Sequence, residues 1–344
     1  MARLFLRAAR PSLFHDALPE HQTFITFSLP VDLRILLLYS QFLKRSYRLS
    51  VQFRIELPLS FTMAAAQQEV KLRNFDSIFS LEGKVAVVTG GSRGLGLHSA
   101  SGLLQAGCSK VYITSRKAKA CEEAVAALNA LPNKRPGARA ISIPADSSKL
   151  SEIERLVAEV KKTTDHVDIL FANAGATWGE KFETHPEPAF QKVMDLNVKS
   201  VFYCVQKFAP LLEARATIED PSRVIITASV AGIMVGSMGN NATFSYSVSK
   251  AAAIHLAKNL AVALGPRHIL SNAIAPGFYP SKMANELMKI QGGKDKLAEH
   301  SPNKKLGEPE DIAGLVVFLS SRAASHINGA CITTDGGAHL KGRM

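Results

Sequence analysis

Glycine is absent from the first 62 residues of this 344-residue chain, although 23 glycines follow. That opening stretch carries eight Lys or Arg against four Asp or Glu, so its composition departs from the remainder. Cysteine is scarce throughout. Cys108, Cys121, Cys204 and Cys331 lie far apart with no C-x-x-C pair, which indicates neither a zinc site nor a disulfide framework and fits a reducing compartment. Long apolar runs are missing as well: Ile35-Leu-Leu-Leu-Tyr39, flanked by Asp32, Arg34, Lys44 and Arg45, is too short to span a bilayer. No secretory signal is evident, and no stable membrane insertion is expected. The net charge of +12 raises nucleic acid as a partner, but the basic residues are scattered and no aromatic-interleaved basic motif occurs. Basic side chains gathered by folding around an anionic ligand explain part of the excess equally well, so no nucleic-acid partner is expected.

What is present falls into two parts. Met1-Ala-Arg-Leu-Phe-Leu-Arg-Ala-Ala-Arg10 is basic, apolar and free of acids, as a mitochondrial presequence begins, yet Asp16, Glu20, Asp32 and Glu56 follow. Three readings of residues 1–62 stay open: an upstream extension outside the functional protein, a cleaved transit segment, or an ordered accessory region. From Met63 the composition matches the rest, and 63–344 is expected to form one catalytic domain. Cytoplasmic placement is expected, with the mitochondrion as the alternative if 1–62 acts as a transit segment.

Within that domain, short β-branched runs alternate with helical periodicity. Lys84-Val-Ala-Val-Val-Thr89 reads as a buried parallel strand. It enters Gly90-Gly-Ser92-Arg93-Gly94-Leu95-Gly96, and a helix begins at once. Strand, glycine turn and helix together form a dinucleotide site, because missing Cβ atoms let backbone N–H groups approach a pyrophosphate at the helix N-terminus. The second strand, 110–114, ends in Ser115-Arg116-Lys117, about 20 residues past the glycines, where an NAD site places an acid for the ribose hydroxyls. This chain has none there. Arg116 and Arg93 are instead placed to bracket a 2′-phosphate, which makes NADP(H) the expected cofactor. Two solvated arginines at loop tips remain the alternative.

Strands are further expected at 138–143, 167–171, 223–229 and 268–273, with a last one at 329–334, and helices at 118–130, 150–162, 187–213, 248–264 and 309–320. That alternation predicts an α/β fold with a doubly wound parallel sheet. The third strand leads to Asp146, whose carboxylate is a candidate acceptor for an adenine amino group. The fourth delivers Asn173-Ala174-Gly175, small enough for a cofactor ring to lie against the backbone. Asn197 falls mid-helix, against its propensity, and either packs as an incidental polar residue or holds the helix open. Ser229 closes a strand on the edge where such sheets bind cofactors. Tyr246 and Lys250 are four apart and share a helix face; a nearby ammonium is expected to draw the phenol toward neutral pKa, as suits a general acid or base. Residues 278–300 carry Met283, Leu287, Met288 and Ile290 on one stripe, read either as a lid or as core packing.

Thr89-Gly-x-x-x-Gly94-x-Gly96, Asn173-Ala-Gly175, Asn197, Ser229, Tyr246-x-x-x-Lys250 and Pro276-Gly277 follow one another in that order. With them, residues 80–338 resemble the short-chain dehydrogenase/reductase family. The resemblance implies a Rossmann-like seven-stranded sheet, hydride exchange between a nicotinamide and a carbonyl or alcohol, a homodimer or homotetramer, and no metal. It implies that Tyr246 gives a proton to the substrate oxygen and that Ser229 polarises that oxygen. Lys250 would lower the Tyr246 pKa and bind the nicotinamide ribose, while Asn197 would hold a water. Pro276 and Gly277 would pass beneath the nicotinamide, with Ser281 at its carboxamide. Two departures stand out: Ser229 and Tyr246 are 17 positions apart, longer than is usual in the family, with the surplus in Gly236-Ser-Met-Gly-Asn-Asn-Ala242. The other, Pro276-Gly-Phe-Tyr-Pro-Ser-Lys-Met283, resembles the branch of rhamnolipid-type 3-oxoacyl-carrier-protein reductases. The expected activity is NADPH-dependent reduction of a ketone, a 3-oxoacyl thioester or secondary-metabolite carbonyl. The alternatives are an NADP-linked alcohol dehydrogenase and a non-catalytic NADP-binding regulator.

Overall fold

A computed structural model of the chain describes residues 67–281 and 292–341. The readings of 1–62 therefore concern residues outside that set, as do Met283, Leu287, Met288 and Ile290 of the expected lid. From Asp76 onward the described residues belong to one compact unit. Among them, no helix is long and apolar enough to cross a membrane.

Seven strands form one sheet: β1 (Val85–Thr89), β2 (Lys110–Thr114), β3 (Arg139–Ser142), β4 (Ile169–Ala172), β5 (Ser222–Thr227), β6 (Ile269–Pro276) and β7 (Cys331–Thr334). Their order is β3-β2-β1-β4-β5-β6-β7, and every pairing is parallel. The chain starts in the middle, moves outward to β3, then returns to lay β4 against the other side of β1. At that reversal the connections leaving β1 and β4 diverge to opposite faces and open a crevice at the C-terminal strand ends. The alternating α/β pattern of the sequence is thus realised. The ladder of β5 stops at Thr227, two residues short of the expected end, and Ser229 instead caps a short 3-10 turn, Val230–Gly232.

Side chains alternate across the sheet with the strand period of two, so each strand feeds two cores. Val85, Val87, Leu170, Val224 and Ile226 face one side. There they meet α3 (Leu150–Lys161), α5 (Ser200–Glu213) and α6 (Phe244–Leu264), whose Leu156, Phe208 and Leu260 are buried. Ala86, Val88, Ile113, Phe171 and Ile225 face the other side, against α1 (Gly94–Gln105) and α8 (Pro309–Ser320) through Leu103, Leu104, Ile312 and Val316. Burying each large apolar side chain contributes roughly 1.5–3 kcal/mol, and these runs are apolar at nearly every position because both faces are covered. The remaining helices are α2 (Ala118–Asn129), α4 (Glu187–Met194) and α7 (Lys294–His300). The helix expected at 187–213 is interrupted by a π-turn, Asp195–Lys199, between α4 and α5.

The N-terminal edge of the sheet is closed by charge. Lys84 Nζ lies 3.1 Å from Asp168 Oδ1 and 2.6 Å from Asp220 Oδ2, and Asp168 Oδ2 accepts from the Val85 N–H at 2.8 Å. This leaves the opposite edge as the open one.

Candidate active site

Three strand ends are tied together beneath the crevice. Thr89 Oγ1 accepts from the N–H groups of Asn173 and Ala174, each at 3.0 Å. The Asn173 side-chain amide donates to the carbonyls of Thr89 and Gly90 at 3.1 and 3.3 Å, and its oxygen accepts from Thr227 Oγ1 at 3.2 Å. Asn173 is therefore a strut across β1, β4 and β5, which leaves Ala174 and Gly175 to present bare backbone to the cleft.

The glycine turn after β1 needs its glycines for two different reasons. Gly90 and Gly94 have φ of +65° and +54°, a region other residues enter only at a cost. Gly96 does not line the cleft; a Cβ there would come within 2.5 Å of the Gly90 carbonyl oxygen and the Asn173 amide nitrogen, so it lets α1 seat against the turn. Gly96 thus has a packing role at the head of α1. Gly90, Ser92, Arg93, Gly94 and Leu95 do line the cleft, whose volume is about 590 Å³. Across it stand Pro276, Gly277 and Ser281, and a Cβ on Gly94 would lie 3.8 Å from that of Ser281.

At one end of the cleft are Ser115, Arg116 and Asp146. Arg93 and Arg116 are exposed there, and neither engages a carboxylate of the described residues. Asp146 Oδ1 accepts from the Ser148 N–H and hydroxyl at 3.1 and 2.7 Å, which holds its carboxylate on the wall. A helix N-terminus with a Cβ-free approach, two unpaired guanidinium groups and a bare backbone floor together fit a dinucleotide phosphate ester.

At the other end Ser229, Tyr246 and Lys250 meet. The Ser229 hydroxyl accepts from the Ala231 N–H at 3.2 Å, which leaves its own proton to donate. Lys250 Nζ is buried, donates to the Thr227 carbonyl at 2.7 Å, and lies 5.5 Å from the centre of the Tyr246 ring. The expected downward pull on the phenol is not what these surroundings produce. Burial pushes the Tyr246 pKa up, with the neighbouring Ser229 hydroxyl partly offsetting it. Lys250 is itself pushed down to about 8 by burial, because a carbonyl cannot compensate an ammonium as a carboxylate would.

Asn197 does not reach the cleft. Its side chain grips Ala176 on both sides, accepting from the N–H at 2.8 Å and donating to the carbonyl at 2.9 Å. It also donates to Ser249 Oγ at 2.9 Å, and Ser249 in turn donates to the Tyr246 carbonyl at 2.7 Å. Of the two readings left open for this residue, the helix is opened, as a π-turn, and the carboxamide bonds to Ala176 and Ser249. Thr227 and Ser249 were missed by sequence reasoning. Their one signal was a polar residue within an otherwise buried strand or helix face.

A sequence model of the family described as enoyl-(acyl carrier protein) reductase matches residues 90–339. A rhamnolipids-biosynthesis 3-oxoacyl-[acyl-carrier-protein] reductase of Pseudomonas aeruginosa is 40% identical over 262 residues, covering 76% of this chain and 98% of that protein. The chain belongs to the short-chain dehydrogenase/reductase family. It is an oxidoreductase. The solved Pseudomonas aeruginosa RhlG/NADP active-site complex superposes with a TM-score of 0.71 at 40% identity, covering 77% of this chain and 99% of that one. The short-chain dehydrogenase/reductase PhomF of Diaporthe leptostromiformis is 31% identical over 283 residues, covering 76% of this chain and 92% of PhomF.

Proposed function

We propose that this short-chain dehydrogenase/reductase uses NADPH to reduce a ketone to an alcohol, with a 3-oxoacyl thioester or a secondary-metabolite ketone as substrate. The observation that carries the reading is the meeting of the Ser229 and Tyr246 hydroxyls beside Lys250 at the open edge of the sheet. Two neighbouring O–H groups suit a single carbonyl oxygen. Bound NADPH supplies hydride to the carbonyl carbon. Ser229 donates a hydrogen bond to the oxygen, and Tyr246 gives it a proton, so that C=O becomes CH–OH. The raised Tyr246 pKa keeps the phenol protonated at neutral pH, which is the form a donor needs. Lys250, 5.5 Å from the ring, stabilises the phenolate left behind. Preference for NADP(H) over NAD(H) is supported by the missing acid after β2 and by Arg93 and Arg116 at that end of the cleft. The substrate class is supported by the 3-oxoacyl reductase of Pseudomonas aeruginosa. Assembly as a homodimer or homotetramer belongs to the same proposal, supported by Phe202, Val248 and Val262 left exposed on α5 and α6.

The test is NADPH oxidation by purified protein against 3-oxoacyl thioesters, polycyclic ketones and matched enoyl thioesters. Turnover of ketones with inert enoyl thioesters is the expected result. If no ketone is consumed while NADPH still binds, the chain is a dinucleotide-binding regulator and the reductase reading is lost.

A further inference from the structure

His98 stands four residues beyond Gly94 in α1, so the two lie on one side of the helix. Helical side chains lean back toward the N-terminus, and His98 lines the same cleft as Gly94, Leu95 and Ser281. The imidazole serves no visible purpose in the fold: none of its ring atoms hydrogen-bonds to a described residue, and Nδ1 is buried without a partner.

That orphaned nitrogen decides what the ring can offer. A neutral imidazole carries its proton on Nδ1 or Nε2. On Nδ1 the proton is buried with no acceptor; on Nε2 it leaves Nδ1 an equally unsatisfied buried acceptor. The doubly protonated cation has the same unsatisfied donor, and burial lowers the ring's pKa against the opposing pull of Glu310 at the start of α8. The ring is therefore held neutral, and an acceptor that meets Nε2 selects the tautomer with the proton there. Because the ring lines the cleft although Nδ1 is closed off, Nε2 is the nitrogen available to a ligand. Beside a helix N-terminus, the fitting acceptor is an anionic oxygen.

We propose that His98 is a further dinucleotide-binding residue, its Nε2–H donating to the pyrophosphate that NADP(H) and NAD(H) share. The inference rests on the dinucleotide reading of the cleft given above. It differs in kind from the role of Arg93 and Arg116, whose charges address the 2′-phosphate that NADP(H) alone carries.

Fluorescence titration of NADPH and of NADH separates these roles. His98→Ala raises both dissociation constants by the same factor, roughly tenfold, the worth of one hydrogen bond to a charged acceptor. His98→Gln, which keeps a side-chain N–H, recovers most of that loss. The Arg93→Ala/Arg116→Ala pair weakens NADPH far more than NADH. In the wild-type protein, ¹⁵N shifts of His98 move toward those of the Nε2–H tautomer when either dinucleotide is added. Unchanged affinity in His98→Ala with an unaltered thermal melt overturns the proposal, and so does a loss confined to NADPH, which would put the ring at the 2′-phosphate. Failure of the wild-type protein to bind either dinucleotide would instead remove the dinucleotide reading itself, and this inference with it.

Discussion

Lys84, half-buried, and Lys250, fully buried, stand at opposite edges of one sheet, and they titrate in opposite directions. Burial pulls Lys84 down, but Asp168 and Asp220 more than compensate, and its pKa is raised. Lys250 hydrogen-bonds to the Thr227 carbonyl and has no carboxylate partner among the described residues, and burial takes it to about 8. The same side chain is a clasp where carboxylates surround it and a loosely held proton where they do not. The N-terminal edge is internally neutralised and holds the fold. The C-terminal edge withholds compensation from Lys250, and Arg93 and Arg116 there meet no carboxylate of the described residues.

If that division holds, variants at the two edges trade opposite quantities. Tyr246→Phe has the largest effect: turnover falls by about 10²–10⁴, the usual worth of a positioned acid, while NADPH affinity and thermal stability stay within error. Steady-state kinetics beside a binding titration check this, and retained turnover would remove the proton donor assigned here. Asp168→Ala does the reverse. It leaves Lys84 with Asp220 alone and the Val85 N–H without its acceptor, and stability drops by about 2 kcal/mol, chiefly for the unsatisfied N–H and the weakened, part-buried pair, with NADPH affinity unchanged. Urea unfolding measures it, and a loss below 1 kcal/mol would mean the clasp is ornamental.

Lys250→Met sharpens the contrast with the smallest effect. With a folded pKa of about 8 below the ordinary 10.5, the ammonium opposes folding fully below about pH 8. That penalty fades as pH rises from about 8 to 10.5, since the unfolded chain there binds the extra proton. Removing the charge should thus stabilise the protein at pH 7 by about 1 kcal/mol, after allowing for the lost bond to Thr227, and the gain should vanish near pH 10. Turnover falls in the same variant. For Lys84 the sign is inverted: its raised pKa lends stability below about pH 10.5 that is lost as pH climbs through the folded value. Parallel unfolding curves at pH 7 and 10 decide between the two.

Much of the site was legible beforehand because its motifs are local. Gly90 and Gly94 announce a turn only glycine makes easily, and Tyr246 and Lys250 share a face whatever packs around them. Other parts were not legible. Gly96 reads like its neighbours, yet its constraint comes from Asn173, more than seventy residues on. Asn197 was rightly suspected of disturbing its helix, but its grip on Ala176 and Ser249 depends on which segments fold beside it. His98 gives no signal in the chain beyond following the glycines.

From its residues alone this chain determined alternating strands and helices, the glycine turn at the head of α1 and the want of an acid after β2, since strand period, helix period and backbone strain are properties of neighbouring residues. Tertiary structure decided which groups are buried, which find partners and hence how they titrate. It turned the expected fall in the Tyr246 pKa into a rise and loosened the Lys250 proton, because desolvation and compensation are set by residues brought together from distant parts of the sequence.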